Sequence, residues 1–144
     1  MQPSQQLQQT VLFLCTGNSC RSQMAEGWLR ELGGDQYIAC SAGIEAHGKN
    51  PRAITVMQEA GVDISAQESE ILNLDQLDSV DLLVTVCSHA DQHCPALPDS
   101  IYKAHWPFDD PAKASGSEDE IMIEFRRVRD QIKTRIKDYI QTGV

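Results

Sequence analysis

The feature that most constrains this fold is an apolar run that stops abruptly at a cysteine. Residues 11–14 read Val-Leu-Phe-Leu, and Cys15 with a polar loop follows them. A short continuous apolar run of this kind is typical of a buried strand. Beyond the loop, apolar residues recur within 24–32 at spacings that share one helix face, and Ser22 could cap that helix. The segment is therefore predicted to form a strand, a loop and a helix in that order.

The loop has the residue types that an oxyanion site requires. A loop that leads into a helix N-terminus points backbone N–H groups at one place, where the helix dipole favours negative charge. Arg21 adds a planar guanidinium that can bind two oxygens, and the same field is expected to lower the pKa of Cys15 and leave a nucleophilic thiolate. A buried inert cysteine beside a surface arginine is the simpler alternative. The candidate anion-binding residues are Thr16, Gly17, Asn18, Ser19, Cys20, Arg21 and Ser22.

Strands and helices alternate along the rest of the chain. Further strands are predicted at 37–43, 82–86 and 103–106, and further helices after Asn50-Pro51, within 72–77 and after the capping box Ser117-Glu120. This alternation predicts an α/β three-layer domain with a mostly parallel central sheet flanked by helices. Ligands bind such sheets at the C-terminal ends of the strands, where Cys15 and Cys87 are both placed.

Length and charge restrict the organisation and the partners. With 144 residues, the chain is predicted to have a flexible Gln-rich tail at 1–10 and a single catalytic domain at 11–144. The net charge of −9 and the pI near 4.7 oppose nucleic acid or an anionic membrane as a partner. No apolar run approaches the roughly 20 residues that span a bilayer, and no signal peptide is recognisable, so a cytoplasmic protein is expected. Five cysteines in such a chain favour thiol chemistry over structural disulfides.

The loop and the start of the helix read Cys-Thr-Gly-Asn-Ser-Cys-Arg-Ser-Gln-Met-Ala-Glu-Gly-Trp from Cys15 to Trp28. This stretch resembles the anion loop of low-molecular-weight protein tyrosine phosphatases, and it is still more similar to that of the phosphatase-related, thioredoxin-coupled arsenate reductases. The likeness extends from about Val11 to the C-terminal helix and implies the low-molecular-weight phosphatase fold. It also implies that the aspartate before a proline, Asp110, is the general acid. Asp109 is then an exposed loop carboxylate, although the pair could also simply form a turn.

Two further cysteines separate the two related families. The resemblance to the reductases implies that Cys15 attacks arsenate, that Cys87 attacks Cys15 with release of arsenite, and that Cys94 then attacks Cys87. It implies recycling by thioredoxin, or by a glutaredoxin and glutathione system, with no organic cofactor, and we expect a monomer. A metal site made of His89, His93 and Cys94 is an alternative, but a second clustered pair of ligands is missing.

The resemblance also implies a monovalent cation, such as potassium, near the anion loop. Its oxygen ligands would be Asn18, Glu26, Ser41 and Glu70, although a shorter Asp is expected at position 70. Asn18 could equally stiffen the loop by hydrogen bonding to its own backbone.

Two rival functions remain at this point. The first is a low-molecular-weight phosphatase that hydrolyses phosphotyrosine through a phospho-intermediate on Cys15. Gln23, where those enzymes often have proline, counts against it, as does the lack of a tyrosine pair after Asp109-Asp110-Pro111. The second is a non-enzymatic anion sensor, which would need neither Cys87 nor Cys94.

Overall fold

The computed structural model describes residues 8–143. Four strands form one sheet in the order β2-β1-β3-β4, and every neighbouring pair is parallel. The strands are β1 (Gln9–Cys15), β2 (Tyr37–Gly43), β3 (Leu82–Thr85) and β4 (Tyr102–His105). The helices are α1 (Arg21–Gly33), α2 (Pro51–Glu59), α3 (Ser88–Gln92) and α4 (Glu118–Thr142), with short 3-10 turns at Gly34–Gln36, Leu74–Ser79 and Pro111–Lys113. The predicted parallel sheet flanked by helices is confirmed.

The core forms around β1, whose residues 11–14 are completely buried. This explains the continuous apolar run, because a central parallel strand is covered on both faces. α4 packs against α1, and the indole N–H of Trp28 donates to the backbone oxygen of Arg129 (3.1 Å). Among residues 8–143, no helix has the length and apolar character needed to cross a membrane.

The register of the sheet aligns the ends of β1 and β3. Leu14 pairs with Thr85, and the N–H of Val86 donates to the oxygen of Leu14 (3.0 Å). Cys15 and Cys87 therefore leave neighbouring strands at the same edge of the sheet, as predicted.

Several local predictions need correction or refinement. Ser22 does not cap α1: the N-cap is Cys20, without a side-chain hydrogen bond, and Ser22 lies buried inside the helix. Most of the predicted tail at 1–10 lies outside the described residues, but Gln9 and Thr10 belong to β1, where they pair with β2. The caps at Asn50 and Ser117 are confirmed by their side-chain hydrogen bonds.

Candidate active site

A cleft of about 540 Å³ lies at the C-terminal edge of β1 and β3. The anion loop and the first residues of α1 form one wall, and the segment around α3 and the 3-10 turn at Pro111–Lys113 form the other. Its chemically reactive lining includes Cys15, Arg21, Cys87, His89, Asp110 and Lys113. The structure thus brings together four of the five predicted catalytic residues.

The loop after Cys15 is held by its carbonyl groups. The oxygens of Cys15, Thr16, Gly17 and Ser19 accept hydrogen bonds of 2.8 to 3.0 Å from backbone N–H groups within 44–50. None of the N–H groups of residues 17–20 donates to another residue of the described chain. Carbonyls bound on one side and free N–H groups on the other are the arrangement that holds an anion.

Asn18 fixes the loop from inside. It is fully buried and has a φ of 48°, a left-handed conformation that asparagine tolerates better than most residues. Its Nδ2 donates to Ser22 Oγ (2.9 Å), and its Oδ1 accepts from the N–H of Glu70 (2.8 Å). Its side chain therefore holds the anion loop to α1 and to the segment around Glu70, rather than bonding to its own backbone as the stiffening alternative suggested.

Arg21 is positioned at the cleft with one nitrogen unused. Nη1 donates to the backbone oxygen of Phe108 (3.0 Å), and Nη2 lies 3.5 Å from Asp110 Oδ2. Nε is buried and has no hydrogen-bond partner within residues 8–143. A buried N–H of this kind is costly to leave unpaired, so an oxyanion oxygen is a chemically suitable partner for it.

Asp110 and Asp109 point to different surroundings. Asp110 lines the cleft, and its Oδ1 accepts from the N–H of Ala112 (3.0 Å) at the start of the 3-10 turn. Asp109 is exposed and pairs with Arg127 at 3.1 Å. Asp110 therefore faces the cleft together with the anion loop, and Asp109 lies outside it.

Cys15 and Cys87 line the same cleft, and their thiols influence each other. The interaction with Cys87, together with burial, raises the pKa of Cys15, while the charge of Arg21 opposes the rise. The interaction with Cys15 lowers the pKa of Cys87, with help from the Thr16 hydroxyl and the Ala90 N–H. The expected lowering at Cys15 is wrong for this arrangement, because the contact with Cys87 was not visible in the sequence. The pair carries one readily formed negative charge, which lies on Cys87.

Cys94 lies outside the cleft. Cys87 is the N-cap residue of α3, and Cys94 follows the end of that helix, half-buried against the core. The rings of His89 and His93 stack with centroids 4.2 Å apart rather than converging with Cys94. Within residues 8–143, no cluster of three or more His, Cys, Asp or Glu side chains could hold a metal ion.

Three of the four predicted cation ligands already have side-chain partners. Glu26 accepts from the Ser41 hydroxyl (2.5 Å) through Oε1 and forms an ion pair with Arg30 through Oε2. The side-chain oxygen of Asn18 accepts from the Glu70 N–H. Arg30 therefore competes with a cation for the Glu26 carboxylate, and the cation site stays a prediction.

His47, His89 and Lys113 were not predicted to belong to the site. His47 packs so closely on the loop that a Cβ at Gly17 would lie 2.3 Å from its Nδ1. His89 stands two residues after Cys87, and that spacing from the strand end is the signal that could have identified it. Nothing comparable in the sequence marks His47 or Lys113.

The family follows from comparison with known sequences. The pattern of the family described as low molecular weight phosphotyrosine protein phosphatase matches residues 10–142. The chain belongs to this family. It is 54% identical over 134 residues to an arsenate reductase of Bacillus licheniformis, covering 93% of this chain and 96% of that protein. It is 53% identical over 133 residues to an arsenate reductase of Bacillus subtilis (strain 168), covering 92% and 96%.

Solved structures agree with the family assignment. An arsenate reductase in the phosphate binding state superposes with a TM-score of 0.74 at 32% identity, covering 94% of this chain and 99% of that one. A tyrosine phosphatase of Erwinia amylovora gives a TM-score of 0.78 at 22% identity, covering 94% and 93%, and shows the shared fold alone. The resemblance predicted from the sequence is confirmed.

Proposed function

We propose that this protein is an arsenate reductase in which Cys15 attacks arsenate and a disulfide cascade through Cys87 and Cys94 releases arsenite. The observation that carries the proposal is that Cys15 and Cys87 line one cleft with Arg21, whose Nε has no hydrogen-bond partner within residues 8–143. Simple phosphate hydrolysis needs one cysteine and gives the second no role. The arsenate reductases that are 53% and 54% identical to this chain support the same substrate.

The first step uses the shared proton of the two thiols. Cys15 passes its proton to the Cys87 thiolate, and the Cys15 sulfur then bonds to arsenic. An arsenate oxygen leaves as water with a proton from Asp110, which lies in the same cleft. Arg21 Nε and the free N–H groups of the loop bind the remaining oxygens.

The second step is the reduction. The Cys87 thiolate attacks Cys15 Sγ, the sulfur–arsenic bond breaks, and its electron pair remains on arsenic. Arsenic is thereby reduced from the pentavalent to the trivalent state, arsenite leaves, and a Cys15–Cys87 disulfide remains. Cys94 then attacks Cys87, which frees Cys15 and moves the disulfide outward.

The reductant that reopens the final disulfide is proposed to be a thioredoxin-like protein acting on a monomer in the cytoplasm. A cytoplasmic location suits this chemistry, because each turnover consumes two thiols and that compartment keeps thiols reduced. The proposal includes no organic cofactor. Because Arg30 already pairs with Glu26, no step is routed through a potassium ion.

Single-turnover analysis of Cys94→Ser tests the cascade. The pre-reduced variant should release close to one equivalent of arsenite and then stop, because its disulfide cannot move beyond Cys15 and Cys87. Cys15→Ser should release none, since a hydroxyl is not ionised in this site. Arsenite formation by the wild-type protein should be measured with thioredoxin and, separately, with glutaredoxin and glutathione. Hydrolysis of an aryl phosphate by the same protein should be measured in parallel. Sustained turnover by Cys94→Ser, or phosphate hydrolysis without arsenite formation, would refute the proposal.

A further inference from the structure

His89 is connected to Cys87 through a shared hydroxyl group. Thr16 Oγ1 lies 3.0 Å from His89 Nδ1 and 3.3 Å from Cys87 Sγ. A threonine hydroxyl has one proton, so it can donate to only one of these two atoms. When it donates to Cys87, Nδ1 must donate to Oγ1; when it donates to Nδ1, the Cys87 thiol must donate to Oγ1. The three groups therefore have two proton arrangements that interconvert by a shift along the chain of hydrogen bonds.

We propose that His89 is a positioning residue that accepts the proton of Cys87, by way of Thr16, before Cys87 attacks Cys15. This inference rests on the proposed function, in which Cys87 receives the Cys15 proton in the first step and must lose it before the second. The S–H bond of Cys87 and the O–H bond of Thr16 break, while a new O–H bond on Thr16 and an N–H bond on His89 form. The products are a thiolate and an imidazolium, and no electron is transferred.

The surroundings of His89 allow it to gain and later release a proton. Glu45, which lies in the segment that holds the anion loop, interacts with the charge of His89. The pKa of Glu45 is lowered mainly by hydrogen bonding to His47 and, to a smaller extent, by the charge of His89. His93 stacks on it from the same helix. The other titratable groups lining the cleft are Cys15, Cys20, Arg21, His47, Asp110 and Lys113. Asp91 faces elsewhere, towards Thr85 and Lys103. The exposed ring of His89 can return the proton to solvent after each turnover.

The test measures the reactivity of Cys87 in the fully reduced protein. Alkylation by iodoacetamide is followed by peptide mass mapping between about pH 3 and pH 9, a range that covers the lowered pKa of Cys87 and the titration of histidine. His89→Asn keeps a hydrogen-bonding partner for Thr16 but cannot take up a proton, His89→Ala removes both functions, and His93→Ala is the matched control on the same helix. In both His89 variants we expect the pH midpoint of Cys87 alkylation to rise by about one unit and the rate at pH values below the midpoint to fall about tenfold. His93→Ala should retain the wild-type midpoint.

Each other outcome overturns the inference. A wild-type profile in His89→Asn, with a shift only in His89→Ala, would mean that Thr16 needs a hydrogen bond but not a proton acceptor. Unchanged profiles in both variants, or an equal shift in His93→Ala, would remove any specific role for His89. The buried Cys20 should stay unlabelled throughout, which shows in the same peptide map that the fold is intact. If wild-type protein forms no arsenite, the proposed function fails, but the alkylation profile still decides whether Cys87 passes its proton to His89.

Discussion

Replacing Asn18 with alanine should destabilise the fold and weaken anion binding together. The Asn18 side chain is fully buried and links the loop to Ser22 and to the Glu70 backbone by hydrogen bonds of 2.9 and 2.8 Å. Alanine would leave the buried Ser22 hydroxyl and the Glu70 N–H without these partners. It would also have to adopt a φ of 48°, which is unfavourable for a residue with a Cβ and no local hydrogen bond.

The loss of stability can be worked from these contacts. The unpaired Ser22 hydroxyl costs about 1–3 kcal/mol, and the half-buried Glu70 N–H adds about 1 kcal/mol. The left-handed backbone costs alanine about 1–2 kcal/mol more. The sum, about 3–6 kcal/mol, is a large part of the 5–15 kcal/mol or so that stabilises a typical domain. Asn18→Gly avoids the backbone cost but gains freedom when unfolded, so it should lose about 2–5 kcal/mol.

Urea unfolding of the reduced proteins measures the stability differences, and calorimetric titration with inorganic phosphate measures the state of the loop. We expect phosphate affinity to fall at least about tenfold in both variants, equivalent to about 1.4 kcal/mol. If Asn18→Gly unfolds at the wild-type urea concentration, the two hydrogen bonds do not stabilise the fold. If both variants are destabilised but bind phosphate normally, Asn18 supports the domain and not the anion loop.

Three further outcomes can be measured on the same preparations. Asp110→Asn should slow the first chemical step by about 10²–10⁴-fold in single-turnover experiments and should retain its affinity for phosphate, whereas Asp109→Asn should react at nearly the wild-type rate. A larger rate loss in Asp109→Asn than in Asp110→Asn would mean that Asp109 is the general acid. Burial raises the pKa of Cys20 to about 12, so Cys20 remains a protonated thiol at about pH 8. It should therefore react with iodoacetamide far more slowly than Cys87. Equal alkylation rates at Cys20 and Cys87 would contradict the burial of Cys20. A helix from Cys87 to Cys94 would separate their Cα atoms by roughly 10 Å, which is more than the roughly 7 Å that a disulfide tolerates. We therefore expect α3 to lose protection from hydrogen exchange when the Cys87–Cys94 disulfide forms. Equal protection in the reduced and the oxidised protein would contradict this.

The order of the strands and of the three longer helices could be predicted because each of these elements has a local signal, whereas α3 was not predicted. Residues 11–14 are typical of a buried strand, Asn50-Pro51 is typical of a helix start, and the glycines at 33 and 34 end α1 as expected, with Gly34 at a φ of 60°. The bounds near functional loops were less predictable. Ser22 has the ideal chemistry for a cap, but Asn18 binds its hydroxyl, and this contact depends on a left-handed residue that a pattern does not reveal.

The site was predictable where residues follow strands and not where distant loops meet. Cys15, Arg21, Cys87 and Asp110 were identified from local motifs and from the resemblance, and the structure brings them together. The pKa of Cys15 was predicted in the wrong direction because a contact with Cys87, across 72 positions of chain, outweighs the local field. The ion pair between Glu26 and Arg30, by contrast, follows from a local signal, because the two residues lie one helical turn apart at the i,i+4 spacing that brings opposite charges together.

The absence of a side-chain cap on α1 connects stability to binding. A cap at a helix N-terminus usually contributes about 0.5–2 kcal/mol, yet Cys20 supplies none and Ser22 is turned towards Asn18. The N–H groups of the first turn of α1 therefore lack a side-chain cap, and within residues 8–143 the N–H groups of residues 17–20 and Arg21 Nε also have no partner, so all of these donors face the place where an oxyanion would bind. Because the anion binds only the folded loop, it should stabilise the protein by about 2.7 kcal/mol at a hundredfold excess over its Kd. A chain with a net charge of −9 can still bind an anion at this loop. The backbone N–H dipoles and the Arg21 guanidinium act on the anion at close range, whereas salt screens the repulsion from the distant acidic surface.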